Sequence, residues 1–145
     1  MEATIINTAV ITANVVTPIT VRETINAEEQ SLLTITKSVS PVPVTENGTL
    51  TYTFVIQNLG NTAATEETGV VITDTFNPVL KNLTATFNGT AWTEGADYTY
   101  DEITGMFASV AGKITVPAAT YTQDTTTGAW GINPGVSTLV ISGTV

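Results

Sequence analysis

Apolar and polar residues alternate along most of the chain, in short runs broken by turn residues. That period of two is what a β-strand with one covered face requires. Residues 3–13 place Ile5, Asn7, Ala9 and Ile11 on one face. Asn14 reads as a turn, and residues 15–25 form a second run in which Pro18 favours an edge, since it cannot donate to a ladder. Residues 26–31 are polar and read as a linker or one helical turn. Further strands are predicted near 32–39, 49–57, 69–76, 83–87, 97–100, 106–110, 113–116, 119–123, 129–132 and 136–145. No stretch holds a sustained 3.6-residue apolar stripe, so no substantial helix is expected.

The turns carry their own chemistry. Asp101 to Phe107 and Asp124 to Trp130 share the spacing D-x-x-T-G-x-aromatic. In such a turn Asp accepts backbone N–H groups two residues on, and Gly supplies the positive φ that closes a hairpin. Asn88-Gly89 is a hairpin signal of the same kind, and Asn47-Gly48 and Asn58-Leu-Gly60-Asn61 are turn-like. Asn47, Asn82 and Asn88 each head an N-x-T sequence, an ordinary outcome where Thr and Asn are abundant.

Composition agrees with the pattern and narrows the function. Thr, Val and Ile make up about two-fifths of the 145 residues, side chains that suit a pleated sheet better than a helix. The chain has no histidine and no cysteine, which removes Ser-His-Asp and Cys-His nucleophile systems, zinc and haem ligation, and disulfides. Thirteen carboxylates stand against Arg22, Lys37, Lys81 and Lys113, a net charge of −9 that argues against nucleic acid and anionic membrane. No run approaches the length of a membrane span, and the first residues lack the basic and apolar regions of a secretory signal. Asp97, Asp101 and Glu102 do not form a calcium loop and read as turn caps. Trp92, Trp130, Tyr98, Tyr100 and Tyr121 are expected to pack in the core or across strand pairs rather than to form a sugar platform.

Three segments, in order, carry a resemblance: Leu33-Thr-Ile-Thr-Lys37-Ser, then Thr51-Tyr-Thr-Phe-Val-Ile-Gln-Asn58-Leu-Gly60-Asn61, then Val71-Ile-Thr-Asp74-Thr. From Leu32 onward the chain resembles the conserved Ig-like repeat of bacterial surface proteins, which is similar to the isopeptide-forming domains of fimbriae, pili and spore-appendage subunits. In that family a repeat closes with a strand similar to Ile6-Asn7-Thr8-Ala9-Val10-Ile11-Thr12, which here stands ahead of the repeat. The resemblance therefore implies an Ig-like antiparallel β-sandwich at 32–145 lacking its closing strand or strands, and an N-terminal strand arm and linker at 1–31. Ile5, Asn7, Ala9 and Ile11 would line the interface that the arm makes.

Lys37 shares a face with Leu33, Ile35 and Val39, and Asp74 shares one with Val70, Ile72 and Phe76. Read from the residues alone, Lys37 snorkels to water at the sandwich end and Asn7 and Asp74 form a polar network around it. The resemblance implies a sharper role, in which Lys37 attacks the Asn7 amide and Asp74 shuttles the proton. The expected protein is a structural subunit of a self-assembling extracellular or spore-surface filament, its partner further copies of itself, with no cofactor, metal or enzymatic activity. The alternative is a monomeric surface module that binds a ligand and whose arm closes its own sandwich.

Overall fold

A computed structural model describes the backbone of residues 3–13, 16–27 and 29–145, and the side chains of 8–10, 20–22 and 29–145. The chain divides into two compact units, Met1–Gln30 and Ser31–Val145. The first is an antiparallel hairpin of β1 (Ala3–Ala13) and β2 (Val16–Ala27). Its register runs from Ala3 opposite Ala27 to Ile11 opposite Ile19, with an irregularity between Ile11 and Ala13. Asn26 and Ala27, expected in a linker, instead continue the ladder opposite Thr4 and Ala3.

The second unit is an all-β antiparallel sandwich. One sheet has the order β3 (Leu33–Ser40), β4 (Thr49–Asn58), β12 (Gly135–Thr144), β6 (Lys81–Phe87), β7 (Thr90–Ala91). The other has the order β5 (Thr73–Thr75), β9 (Met106–Ser109), β8 (Tyr98–Asp101). β10 (Thr120–Gln123) and β11 (Trp130–Asn133) form a separate two-stranded ribbon. The sequence explains the centre of the larger sheet, because β4 and β12 alternate strictly and bury every second residue. Leu139 and Ile141 of β12 meet Phe76, Leu80, Phe107 and Ile114 in the core, all shielded from water. Each such side chain contributes about 1.5–3 kcal/mol by leaving water.

Two expected strands are shorter or absent. Of 69–76 only Thr73–Thr75 is strand, because Gly69 at φ 65° ends a 3₁₀ turn at Glu66–Thr68. Just ahead of β5, the Ile72 N–H donates to the Ser109 hydroxyl at 2.9 Å rather than to a ladder carbonyl. Of 113–116, only Val116 pairs, in an isolated bridge to Ala64, since a turn at Gly112 (φ 82°) precedes it and Pro117 follows. Asn88 and Gly89, both at positive φ, join β6 to β7 as the dipeptide predicts.

Candidate functional site

The two sheets of the sandwich end differently on their two sides. On one side the last strands are β7, only two residues long, and β8, whose Tyr98 makes a bridge to Glu94. β7 is too short to pair further, and the bridge from Glu94 occupies part of the β8 edge. On the other side the last strands are β3, eight residues long, and β5, and neither has a partner on its outer edge among the described residues. The Leu59 N–H donates to the Leu32 carbonyl, so by alternation Leu33, Ile35, Lys37 and Val39 turn their backbone groups outward. The Ser109 N–H donates to the Ile72 carbonyl and Phe76 N–H to that of Gly105, which likewise leaves Val71 and Thr73 turned outward.

Between these two edges lies an open groove. Its apolar part, about 310 Å³, is lined by Leu33, Ile35 and Ile56 on one wall and by Val70, Val71 and Ile72 on the other. A continuation of about 220 Å³ runs past Lys37, Phe54 and Asp74. The inner row of β4, Tyr52, Phe54 and Ile56, is buried. Their partners in register on β3, Val39, Lys37 and Ile35, are not. Ile35 is 50% exposed and Val39 39%, and Val71 across the groove is 47% exposed. Alternation places the β3 row inside, and the structure corrects this: the second sheet stops at β5 and leaves that row uncovered.

Lys37 and Asp74 face each other across the groove. The Lys37 ammonium pairs with Asp74 Oδ2, the lysine side chain 40% and the aspartate 18% exposed. Asp74 Oδ1 accepts the Thr75 N–H at 2.9 Å. The ammonium also lies over three rings, 4.7 Å from the centroid of Tyr52, 5.3 Å from Phe76 and 5.6 Å from Phe54. The lysine head group is set against ring faces on the β4 side as well as against the carboxylate. Lys37 is thus a partly covered ion-pair partner and not the sealed residue that an interior position would make it. The ring cage escaped sequence reasoning, although Lys37 standing opposite Phe54 in the β3–β4 register is a signal that would have found part of it.

The remaining expected interface residues lie in the first unit. Ala9 is exposed, and the side chains of Ile5, Asn7 and Ile11 lie outside the described residues. The acidic turn residues are engaged in capping. Asp97 accepts the Thr93 N–H at 2.8 Å and pairs with Lys113 at 2.9 Å, and Glu102 accepts the Asn82 N–H at 3.2 Å. Asp101 accepts the Ile103 N–H and the Thr104 hydroxyl. Among the aromatics, Tyr98 is buried against Phe107 and Trp92 stacks on Phe87. Trp130 lies outside the core, 67% exposed and opposite Gln123 in the β10–β11 ribbon, all of whose residues are exposed. Among the described residues no helix is long and apolar enough to cross a membrane. Comparison of the chain with protein-family profiles, curated proteins and solved structures finds no match in any of the three.

Proposed function

We propose that the protein is a structural subunit of a self-assembling surface filament, in which the N-terminal arm of one copy fills the open groove of the next. The observation that carries this reading is the groove itself, with two strand edges that have no partner among the described residues and with Ile35 and Val39 uncovered beside it. An edge of this kind is a template for an added strand, with main-chain hydrogen bonds giving affinity and alternate side chains giving specificity. The arm supplies matching material: a strand with Ile5, Ala9 and Ile11 on one face. Donation from one end to a groove elsewhere is head-to-tail, and a head-to-tail contact that does not close a ring propagates as a fibre. An extracellular or spore-surface location belongs to the same reading, supported by the resemblance of residues 32–145 to surface repeats.

The Lys37–Asp74 pair adds a chemical element to it. A strand laid over the pair would set Asn7 against it, and in this reading Asp74 takes the proton that Lys37 gives up as it becomes the nucleophile. The neutral Lys37 Nζ then attacks the side-chain carbon of Asn7. A new C–N bond forms as the amide C–N bond breaks; Asp74 gives its proton to the departing nitrogen, which leaves as ammonia, and takes up the proton that Nζ sheds in becoming an amide N–H.

Deleting residues 1–25 tests the assembly. Negative-stain microscopy and sedimentation should show fibres from the full chain and none from the shortened one. Normal fibres from the shortened chain would overturn arm donation. A full chain that stays monomeric at high concentration would place the arm in its own groove, as in a ligand-binding surface module.

A further inference from the structure

We infer that the arm is donated as an intact hairpin, β1 and β2 together, which bridges both open edges of the receiving sandwich. This rests on the reading of the protein as an arm-donating subunit. The first observation is the register of the hairpin. Residues directly opposite in an antiparallel pair share a face, and Ile5 stands opposite Ile25, Ala9 opposite Val21 and Ile11 opposite Ile19. One face of the arm is therefore apolar in both of its strands. The other face carries Thr4, Ile6, Thr8 and Val10, which stand opposite Asn26, Thr24, Arg22 and Thr20 in that order. Donating β1 alone would cover one apolar row, strip the ladder between the strands, and leave the row on β2 in water.

The second observation is the count of edges. A two-stranded hairpin is marginal in water by itself, because half its backbone groups and its whole apolar face lack partners. It offers two outer edges, one on each strand. The open side of the sandwich offers two as well, on β3 and on β5, facing each other across the groove. A hairpin set between them joins the two sheets into one wall, pairing with β3 along Leu33–Ser40 and with β5 over the short stretch Thr73–Thr75. A single strand can pair fully with only one of the two and leaves the other open.

The third observation fixes the axial position. The apolar face of the hairpin is interrupted by one polar pair, Asn7 opposite Glu23. The groove is interrupted by one polar pair too, Lys37 with Asp74. Superposing the two sets Asn7 and Glu23 at the level of Lys37 and Asp74 and leaves apolar positions against apolar positions on either side. Any other alignment buries a charge against an aliphatic wall, which is strongly unfavourable.

The chain has no cysteine, so an introduced pair forms a single defined disulfide. Thr8 and Arg22 stand opposite each other, are both exposed, and lie on the face away from the groove. Opposite residues of an antiparallel pair fall within disulfide reach. The variant Thr8→Cys/Arg22→Cys locks the hairpin when oxidised and frees it when reduced. Hairpin donation predicts fibres of the same yield in both states. It also predicts amide hydrogen exchange slowed in the fibre on both 33–39 and 71–75, relative to the unassembled chain. Fibres from the reduced form with none from the oxidised form would overturn it, as would protection of only one edge. Should the reduced variant itself fail to assemble, Val10→Cys/Thr20→Cys, on the same face, makes the same lock. Fibres that form equally well after removal of residues 1–25 would instead remove the underlying reading of the arm.

Discussion

The Oδ1 atom of Asn58, at the end of β4, accepts the backbone N–H of Leu32 at 2.9 Å, across 26 residues of chain. The same atom accepts the Gly60 N–H at 2.9 Å. The amide nitrogen donates to the carbonyls of Thr62 at 2.7 Å and Pro117 at 3.0 Å. Asn58 is wholly shielded from water, so one side chain satisfies four backbone groups at the point where the chain leads into β3. Replacing it by Ala leaves those groups without partners in a dry site. Each such loss costs about 1–3 kcal/mol, so Asn58→Ala should destabilise the sandwich by roughly 3 kcal/mol or more. Denaturant unfolding of the mutant measures this, and a change under about 1 kcal/mol would mean that water or neighbouring groups take over the bonds.

The two D-x-x-T-G turns predict a contrast. Gly105 (φ 77°) and Gly128 (φ 73°) each donate N–H to the carbonyl of the Asp four residues earlier, at 2.8 Å in both cases. A Cβ at Gly105 would stand 2.5 Å from the Phe76 carbonyl oxygen, whereas one at Gly128 meets nothing within 4 Å. Gly128→Ala should cost only the left-handed backbone, about 1–2 kcal/mol. Gly105→Ala adds a clash with backbone at the edge of the core and should cost clearly more. Equal melting temperatures for the two variants would refute this ranking.

Three aspartates predict how stability responds to acid. Asp97 is held below the usual carboxylate range by the Thr93 N–H and then by Lys113, Asp101 by the Ile103 N–H and the Thr104 hydroxyl, and Asp124 by the N–H groups of Thr127 and Thr126. A depressed folded-state value means that the unfolded chain binds protons first. The contribution is therefore complete above the unfolded value, near pH 4, and is lost as pH falls through the lower folded values. Melting temperature should be flat from neutral pH down to about 5 and fall below about 4. Asp101→Asn should shallow that fall, and an unchanged profile would show that the turn bonds do not differ between the two states.

Much of this architecture is legible in the chain, and the exceptions have physical causes. Alternation gives β4 and β12, and the Asp–Gly spacing gives two turns with the same hydrogen bonds. Asn58 is also marked, as the polar residue ending the buried row Leu50, Tyr52, Phe54 and Ile56. The open side is not legible. Alternation shows that Ile35 and Val39 want cover, but whether a second sheet reaches them depends on whether a further strand lies beyond β5 in that sheet, which the alternation of β3 does not state. Trp130 is opaque too, since its strand alternates like a core strand but belongs to a separate ribbon whose residues are all exposed. The place of Lys37 and Asp74 on facing walls follows from two separate alternations, whereas their contact needs the distance between sheets.

The covalent step is separable from assembly and predicts its own signature. Bond formation between Lys37 and Asn7 removes one ammonia per link, so intact mass falls by that amount and a trypsin digest yields one branched peptide joining the two residues. Donation between copies turns the link into a bridge between subunits, and fibres boiled in detergent should leave a ladder of multiples. Lys37→Arg keeps a cation that can face Asp74 and the three rings, but its guanidinium does not deprotonate at ordinary pH and cannot act as the nucleophile. That variant should assemble into fibres that boil down to monomers. Asp74→Asn should do the same, because the amide cannot take the proton from Lys37. An unmodified mass in boiled wild-type fibres, with Lys37 and Asn7 in separate peptides, would remove the bond and leave the filament standing. A ladder that persists in Lys37→Arg would show that a different pair of residues carries the cross-link.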